Sequence, residues 1–389
     1  MATRRGKHEG SIYLMSNGTW RAQVTIGKKR IGCIAKSKAE CRDWVRERLN
    51  EIDKGMTFER HNITLAEYLK GWMSEKKNAV RIKTGFQYQR LINLYIEPNI
   101  GNIKLKDLNL HIVGHFYESL KERGVGVSNI RYSHRVLHCA LEQALKDGLI
   151  IRNPSHGATV PRAIHKEMKI LNDEQVNLFL VAASGSRYQA LYHLAVTTGM
   201  RISELRGLCW SDIDWIKSTI KVNRQIQDIP GKGTMSGAPK TYSGIRTILL
   251  GETSLNMLRE QNQRIEAEAS RAGDSWKHND LIFPSNMGTP FSDANVRKDF
   301  VAVLKAANIP RIRFHDLRHT AASLMLNHGV PALVVSKILG HSSPSVTLNI
   351  YAHSTIDMQS IAAGIMDKIV SPTPINVSQL HSTAHGCTR

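Results

Sequence analysis

The chain has 389 residues, 41% of them hydrophobic, and carries 53 lysines and arginines against 33 aspartates and glutamates, a formal net charge of +20. That length is too great for one ordinary core, so two or three domains are expected, and the basic excess points to a polyanionic partner. No run of about 18 apolar residues exists to cross a membrane, the basic start Met1–Lys7 lacks the apolar stretch of a signal peptide, and Cys33, Cys41, Cys139, Cys209 and Cys387 contain no CxxC pair. Few, odd and scattered cysteines suit a reducing cytoplasm and argue against a disulfide framework or structural zinc.

Residues 1–57 read as a small separate unit. Ser11–Met15 and Trp20–Ile26 are strand-like and joined across Asn17-Gly18, a strong hairpin signal. A second turn at Ile26–Arg30 leads into a third strand ending at Ala35, and Ser37 caps a helix running to about Asp53. Cys41, Trp44, Val45 and Leu49 form its apolar stripe. Trp20, Arg21, Lys28, Lys29 and Arg30 make this sheet a candidate nucleic-acid surface, against the plainer reading of a solvated basic face.

Residues 62–155 are all helical by pattern. Thr64-Leu-Ala-Glu67 is a capping box, and Leu65, Tyr68, Leu69, Trp72 and Met73 follow as one stripe. Further helices are predicted over Lys83–Tyr95, stopping before Pro98, over Leu110–Arg123, and over Ser128–Asp147 with Gly148 as the stop. Arg131, His134, Arg135 and His138 lie at helical spacing and are candidates for a DNA-facing side, although any one of them is equally a solvated helix residue.

After a linker at 156–169, a larger domain is expected over 170–370. Asn172-Asp-Glu-Gln175 caps its first helix. Helices are predicted over Tyr188–Thr197, Met200–Leu208, Thr253–Ala272, Ser292–Ala307, Arg318–Asn327, Val330–Leu339 and Ser343–Tyr351. Ser218–Arg224 and Tyr242–Leu250 have strand character and flank a Gly/Pro-rich stretch at Pro230–Pro239. The polar tail 371–389 is expected to be disordered.

The larger domain holds the chemistry. Arg201, His315, Arg318, His341 and Tyr351 are each unremarkable alone, since a helical arginine is usually a solvated charge and a tyrosine usually packs. Together they form an anion-binding and nucleophilic set. A phosphodiester repels nucleophiles, and two planar guanidiniums can hold both non-bridging oxygens and the charge of a pentacoordinate transition state. A tyrosine hydroxyl near pKa ~10 then needs a base or cation to become nucleophilic. The segment lacks HExxH and any carboxylate cluster, so a metal-dependent nuclease is disfavoured.

The motifs Thr197-Thr-Gly-Met-Arg-Ile-Ser-Glu-Leu205, Pro239-Lys240-Thr241 with Ser243 and Arg246, His315-Asp-Leu-Arg-His-Thr320, Leu339-Gly-His341 and Tyr351 stand in one order. In these the chain resembles the tyrosine recombinases, specifically phage-type integrases with an N-terminal arm-binding domain, from about Ser11 to Met366. The resemblance implies a multidomain α+β fold: a three-stranded β-sheet plus helix, an all-α core-binding domain, and a mainly α catalytic domain with a small β-sheet. It implies that Tyr351 is the nucleophile forming a 3′-phosphotyrosyl link, that Arg201 and Arg318 clamp the scissile phosphate with Glu204 supporting Arg201, and that Lys240, in a β-hairpin turn, is the general acid. His315 would move the tyrosine proton and His341 would hydrogen-bond the phosphate. Lys83 and Thr84 fit the family's pattern for backbone contacts at the start of its second core-binding helix, and the segment after Tyr351 resembles a terminal helix that docks on a neighbouring protomer.

The resemblance also implies double-stranded DNA as partner at core and arm attachment sites, a homotetramer on DNA, no cofactor, and action in the bacterial cytoplasm at the nucleoid, with an excisionase and a host DNA-bending protein as further partners to consider. A type IB topoisomerase shares the tyrosine chemistry, but the arm-like N-terminal unit and the motif order favour the integrase.

Overall fold

The structure, a computed structural model, describes residues 10–26, 29–53, 62–162, 169–239 and 241–351, with positions 363, 364, 366, 367 and 370; at 26, 29, 51–53, 346 and 349–351 it describes the backbone only. The tail at 371–389, His353, Lys28 and Lys240 lie outside the described residues. The chain divides into two units, Met1–His165 and Lys166–Arg389.

The first unit opens with strands β1 (Ser11–Leu14), β2 (Trp20–Ile26) and β3 (Lys29–Ala35) in an antiparallel meander, followed by helix α1 (Lys38–Asp53). The Asn17-Gly18 turn sets the register Leu14↔Trp20, and β2 pairs β3 from Trp20↔Ala35 to Ile26↔Lys29. Alternation along β2 sends Ala22 and Val24 inward, where they meet Cys41 and Val45 of α1 in a small core. Helices α2 (Leu65–Ala79), α3 (Ile82–Leu91), α4 (Glu97–Ile100), α5 (Leu110–Glu122) and α6 (Val127–Lys146) surround a second, larger core. The Thr64 capping box forms as read: Thr64 Oγ1 accepts from Glu67 N at 3.2 Å, and Glu67 Oε2 accepts from Thr64 N at 2.8 Å. The five predicted stripe residues of α2 are all buried, and Tyr68 donates its hydroxyl to the Ala140 carbonyl of α6 at 2.8 Å.

Here the structure corrects one boundary. The helix does not stop before Pro98; it passes through a π-helical turn, Ile92–Ile96, into α4. The Glu97 N–H bonds back five residues to the Ile92 carbonyl, and Pro98 falls in the first turn of the segment that follows, where its missing N–H costs little.

The second unit contains α7 (Asp173–Ala182), α8 (Gln189–Thr198), the short α9 (Ile202–Leu205), strands β4 (Ile213–Asp214), β5 (Thr219–Val222), β6 (Gln225–Ile229), β7 (Gly233–Gly237) and β8 (Arg246–Leu249), then α10 (Glu252–Ala272), α11 (Asp293–Ala306), α12 (Asp316–Asn327), α13 (Ala332–Leu339) and α14 (Pro344–Tyr351). Asn172 and Gln175 make the predicted capping box of α7. Strands β4, β5 and β8 form one antiparallel sheet, and β6 and β7 a separate hairpin. The Gly/Pro-rich stretch at Pro230–Pro239, in which no strand is predicted, contains β7. The core, centred on Phe179, Tyr192, Phe300 and Phe314, packs α8 beneath α12 and so fixes the two elements that carry the arginine motifs.

Candidate functional site

The site is built where α8 ends, α9 and α12 begin, and α13 stops. Gly199 closes α8 at φ +62°, a left-handed conformation that favours glycine. A Cβ there would overlap Leu339 Cδ2, so glycine is also needed for close approach to α13. The Gly199 carbonyl accepts from Arg318 Nη1 at 2.8 Å, joining two motifs 119 residues apart. Arg318 is only 4% exposed, so this bond fixes a guanidinium held within the protein.

Arg201 is the N-cap of α9, with extended backbone. Glu204, three residues on, reaches back to it: Oε2 accepts from Arg201 N at 3.0 Å and Oε1 from Arg201 Nη1 at 2.7 Å. The same carboxylate accepts from Arg246 Nη2 at 2.9 Å. Burial pushes the Glu204 carboxyl up, but Arg246 and then Arg201 outweigh it and hold it below the usual carboxylate range. Arg246 is itself tethered, with Nε donating to Ile338 O at 2.5 Å and Nη1 to Gly244 O at 3.1 Å. A buried anion thus fixes two cations, and one of them, Arg201, keeps 37% of its side chain exposed.

His315 is the N-cap of α12, and His341 follows Gly340, whose φ of +69° ends α13. Burial lowers His315 to about 4, helped by His319, Arg318 and Arg201. Burial likewise lowers His341 to about 4, helped by Arg318 and Arg201. Both imidazoles are therefore neutral at pH 7, and both lie in the field of both arginines. His341 Nδ1 hydrogen-bonds Thr347 Oγ1 at 2.8 Å, tying the end of α13 to α14 one turn before Tyr351. The structure thus brings Arg201, Arg318, His315 and His341 together. It carries the backbone of Tyr351 to the end of α14, with the side chain outside the described residues. The expected hairpin-turn placement of Lys240 lies outside the described residues; the turn of the β6–β7 hairpin is at 230–232.

Two positioning residues escaped the sequence reading. Arg246 was visible in its motif but had no assigned task, and Thr347 had no signal beyond lying four residues before Tyr351. His319, left out of the set, stacks edge-on to His315 with ring centroids 5.2 Å apart.

The proposed DNA-facing residues separate by burial. Arg21 and Arg30 share the sheet face away from α1, by register parity with Ile34 and Thr25. Trp20 does not join them: alternation puts it on the core side, with Lys38 Nζ 5.3 Å above its ring. The Lys29 side chain is not described. Lys83 is exposed and Thr84 half-buried in the first turn of α3. Arg131 and Arg135 are exposed on α6, but His134 turns inward and its Nδ1 hydrogen-bonds Tyr117 Oη at 2.8 Å. Among the described residues, no helix is long and apolar enough to cross a membrane.

Comparison with known proteins agrees with this geometry. The phage integrase family model matches residues 165–357, and the model for the phage integrase N-terminal SAM-like domain matches 64–120. A tyrosine recombinase XerC-like protein of Caldanaerobacter subterraneus subsp. tengcongensis is 30% identical over 363 residues, covering 86% of this chain and 92% of that one. A putative prophage phiRv2 integrase of Mycobacterium tuberculosis is 26% identical over 385 residues, covering 94% and 98%. Among solved structures, the Tn1549 transposon integrase in complex with transposon right end DNA shares the fold with TM-score 0.67 and 24% identity, covering 80% of this chain and all of that one. A lambda integrase tetramer bound to a Holliday junction gives TM-score 0.57 at 17% identity, covering 89% and 96%.

Proposed function

Because the chain belongs to the phage integrase family of tyrosine recombinases and is a DNA breaking-and-rejoining enzyme acting by site-specific recombination, we propose the following division of labour among its residues. Arg201 and Arg318 hold the non-bridging oxygens of the scissile phosphate. The Tyr351 Oη attacks phosphorus, the bond from phosphorus to the 5′-oxygen breaks, and a 3′-phosphotyrosyl bond replaces it. The tyrosine proton passes to His315, which is neutral and able to accept it. Lys240 delivers a proton to the departing 5′-oxygen. His341, whose Nδ1 is engaged by Thr347, offers Nε2 to the phosphate. The energy of the phosphodiester is kept in the new ester, so a 5′-hydroxyl from a second strand can reverse the step.

The observation that carries this reading is that the three separated motifs are tied together: Arg318 Nη1 donates to the Gly199 carbonyl at 2.8 Å, and Arg246, held on Glu204 beside Arg201, donates to the Ile338 carbonyl three residues before His341. Two guanidiniums beside two neutral imidazoles suit an anion that arrives with its own charge and needs a proton acceptor close by.

In this reading residues 1–57 bind arm-type sites through Arg21, Arg30, Lys28 and Lys29, with Trp20 packing the sheet, and residues 62–155 bind core sites through Lys83, Thr84, Arg131 and Arg135. Residues 156–169 link them to a catalytic domain at 170–370. The chain works at the nucleoid of a bacterial cell as a tetramer on two DNA sites, and an excisionase and a host bending protein would bias its direction. The test uses nicked suicide duplexes that lose the 5′-hydroxyl fragment on cleavage, built on a site selected by binding to the full chain. The parent should accumulate a covalent protein–DNA species unaffected by chelator, and Tyr351→Phe should form none. Cleavage by Tyr351→Phe at the parent rate would overturn the assignment.

A further inference from the structure

Outside the catalytic unit, the end of α6 and the loop after it gather a second set of titratable side chains. His138 and Glu142 are four residues apart on α6, so they share one face. The chain then turns back through Asn153, Pro154 and Ser155 and presents His156 beside them. One ligand atom from each of His138, Glu142 and His156 lies within 4.8 Å of the other two. His156 Nε2 is 3.1 Å from Glu142 Oε1, and the rings of His138 and His156 stand 4.9 Å apart.

What distinguishes this group from a chance surface cluster is the buried frame around it. Asn153 is 3% exposed and Ser155 1%. Asn153 Nδ2 donates to Glu142 Oε1 at 2.6 Å and lies 3.3 Å from the His138 carbonyl and 3.5 Å from His138 Nδ1. Asn153 Oδ1 accepts from the Ser155 hydroxyl at 2.6 Å and from Ser155 N at 2.9 Å. The Ser155 hydrogen is thus spent on Asn153, so its oxygen accepts from His138 Nδ1 at 2.9 Å, and the lone pair of that imidazole is left on the other ring nitrogen. The carboxylate and one imidazole are therefore oriented by outer hydrogen bonds of the kind that fix metal ligands. His156 leaves this frame with its side chain 62% exposed, and Glu142 with 32%, so an ion has access from solvent.

We propose that His138, Glu142 and His156 form a binding site for a divalent transition metal of the zinc class, which fastens the chain leaving α6 to that helix. Two imidazoles and one carboxylate select zinc, cobalt or nickel over magnesium or calcium, which prefer all-oxygen shells. Donors around a tetrahedral zinc at ~2.0–2.1 Å stand about 3.3 Å from one another. The Glu142–His156 pair is already at that spacing, and the widest allowed pair in the group, at 4.8 Å, closes with a movement of about 1.5 Å. The metal replaces the proton on His156 Nε2, and water fills the fourth position. The arrangement stands independently of the catalytic assignment, because all three ligands belong to the first unit.

The test is a titration of Co²⁺ into the full-length chain without a histidine tag, in metal-free buffer. The parent should develop visible ligand-field absorption that saturates at one ion per chain, and Zn²⁺ should bleach it. His156→Asn, at an exposed position, and Glu142→Gln, which keeps an acceptor for Asn153, should each weaken that binding by about tenfold or more. Zn²⁺ should also slow tryptic cleavage after the exposed Arg152 in the parent and not in the variants. Equal spectra and affinities in parent and both variants would overturn the site, including the case where the ion sits on His315, His319 and His341 instead. Failure of the parent to bind Co²⁺ at all would overturn it equally.

Discussion

Replacing Glu204 probes the frame of the catalytic unit most sharply. Its side chain is 2% exposed and bridges Arg201 to Arg246, itself 6% exposed. Glu204→Ala removes the acceptor for Arg201 N, Arg201 Nη1 and Arg246 Nη2, and leaves the buried Arg246 cation without its carboxylate. Breaking a buried pair from one side costs about 3–5 kcal/mol, because the remaining charge stays desolvated. For a unit of this size, ~2–4 °C per kcal/mol translates that into a loss of about 6–20 °C in Tm. The assay is differential scanning calorimetry of Glu204→Ala, Arg246→Met and the double variant. The double should lose less than the sum of the singles, since removing Arg246 eliminates the unpaired charge, and the coupling should be about 1–3 kcal/mol. A Glu204→Ala protein melting within a degree of the parent, or singles that simply add, would refute the claim that this carboxylate is the anchor of the two arginines.

Other expectations are independent of that one. Gly340→Ala places a Cβ 2.8 Å from the Ser243 carbonyl oxygen and 3.0 Å from Arg246 Cδ at φ +69°, so left-handed strain of about 1–2 kcal/mol plus displacement of Arg246 should lower both Tm and strand cleavage; an unchanged Tm would contradict it. His315 and His341 are held neutral down to about 4, whereas the unfolded chain protonates them near the ordinary value. The unfolded state therefore binds more protons between those values, so their contribution to stability is complete above about pH 6.5 and is lost as pH falls toward 4. Urea denaturation at pH 7.5 and pH 5 should show the lower stability at pH 5, and a loss confined to the Ala-substituted histidine pair would reverse that assignment. Deleting residues 1–57 should spare cleavage at a core site and impair recombination that needs distal arm sites, measured by plasmid recombination; equal recombination by the truncated chain would remove the arm-binding role.

Much of the fold was legible because its signals are local. The Asn17-Gly18 turn, the Thr64 and Asn172 capping boxes and the α2 stripe each involve residues within a few positions, and each formed as read. The π-helical turn at Ile92–Ile96 was not legible, since proline reads as a stop and the wider turn that accommodates it has no composition of its own. Strand β7 was hidden because Gly233–Gly237 has two glycines and a single large apolar residue, Met235, so no alternation marks it. In the site, the arginine and histidine motifs announced themselves, but Arg246 and Thr347 act only through contacts that the folded chain makes: Arg246 on Glu204, 42 residues away, and Thr347 on His341 across the turn between α13 and α14. The group of His138, Glu142 and His156 escaped for the same reason, because its third member joins the α6 pair only after the loop has turned back.

The central claim is that Tyr351 joins to DNA while Arg201 and Arg318 hold the same phosphate. Mass-spectrometric mapping of the trapped covalent complex, after nuclease and trypsin digestion, tests it directly. A nucleotide carried through its 3′-phosphate on the peptide containing Tyr351, lost from the adduct when either arginine is replaced by alanine, is the expected result. An adduct on any other side chain, or strand breaks that leave the protein unlabelled, would contradict it.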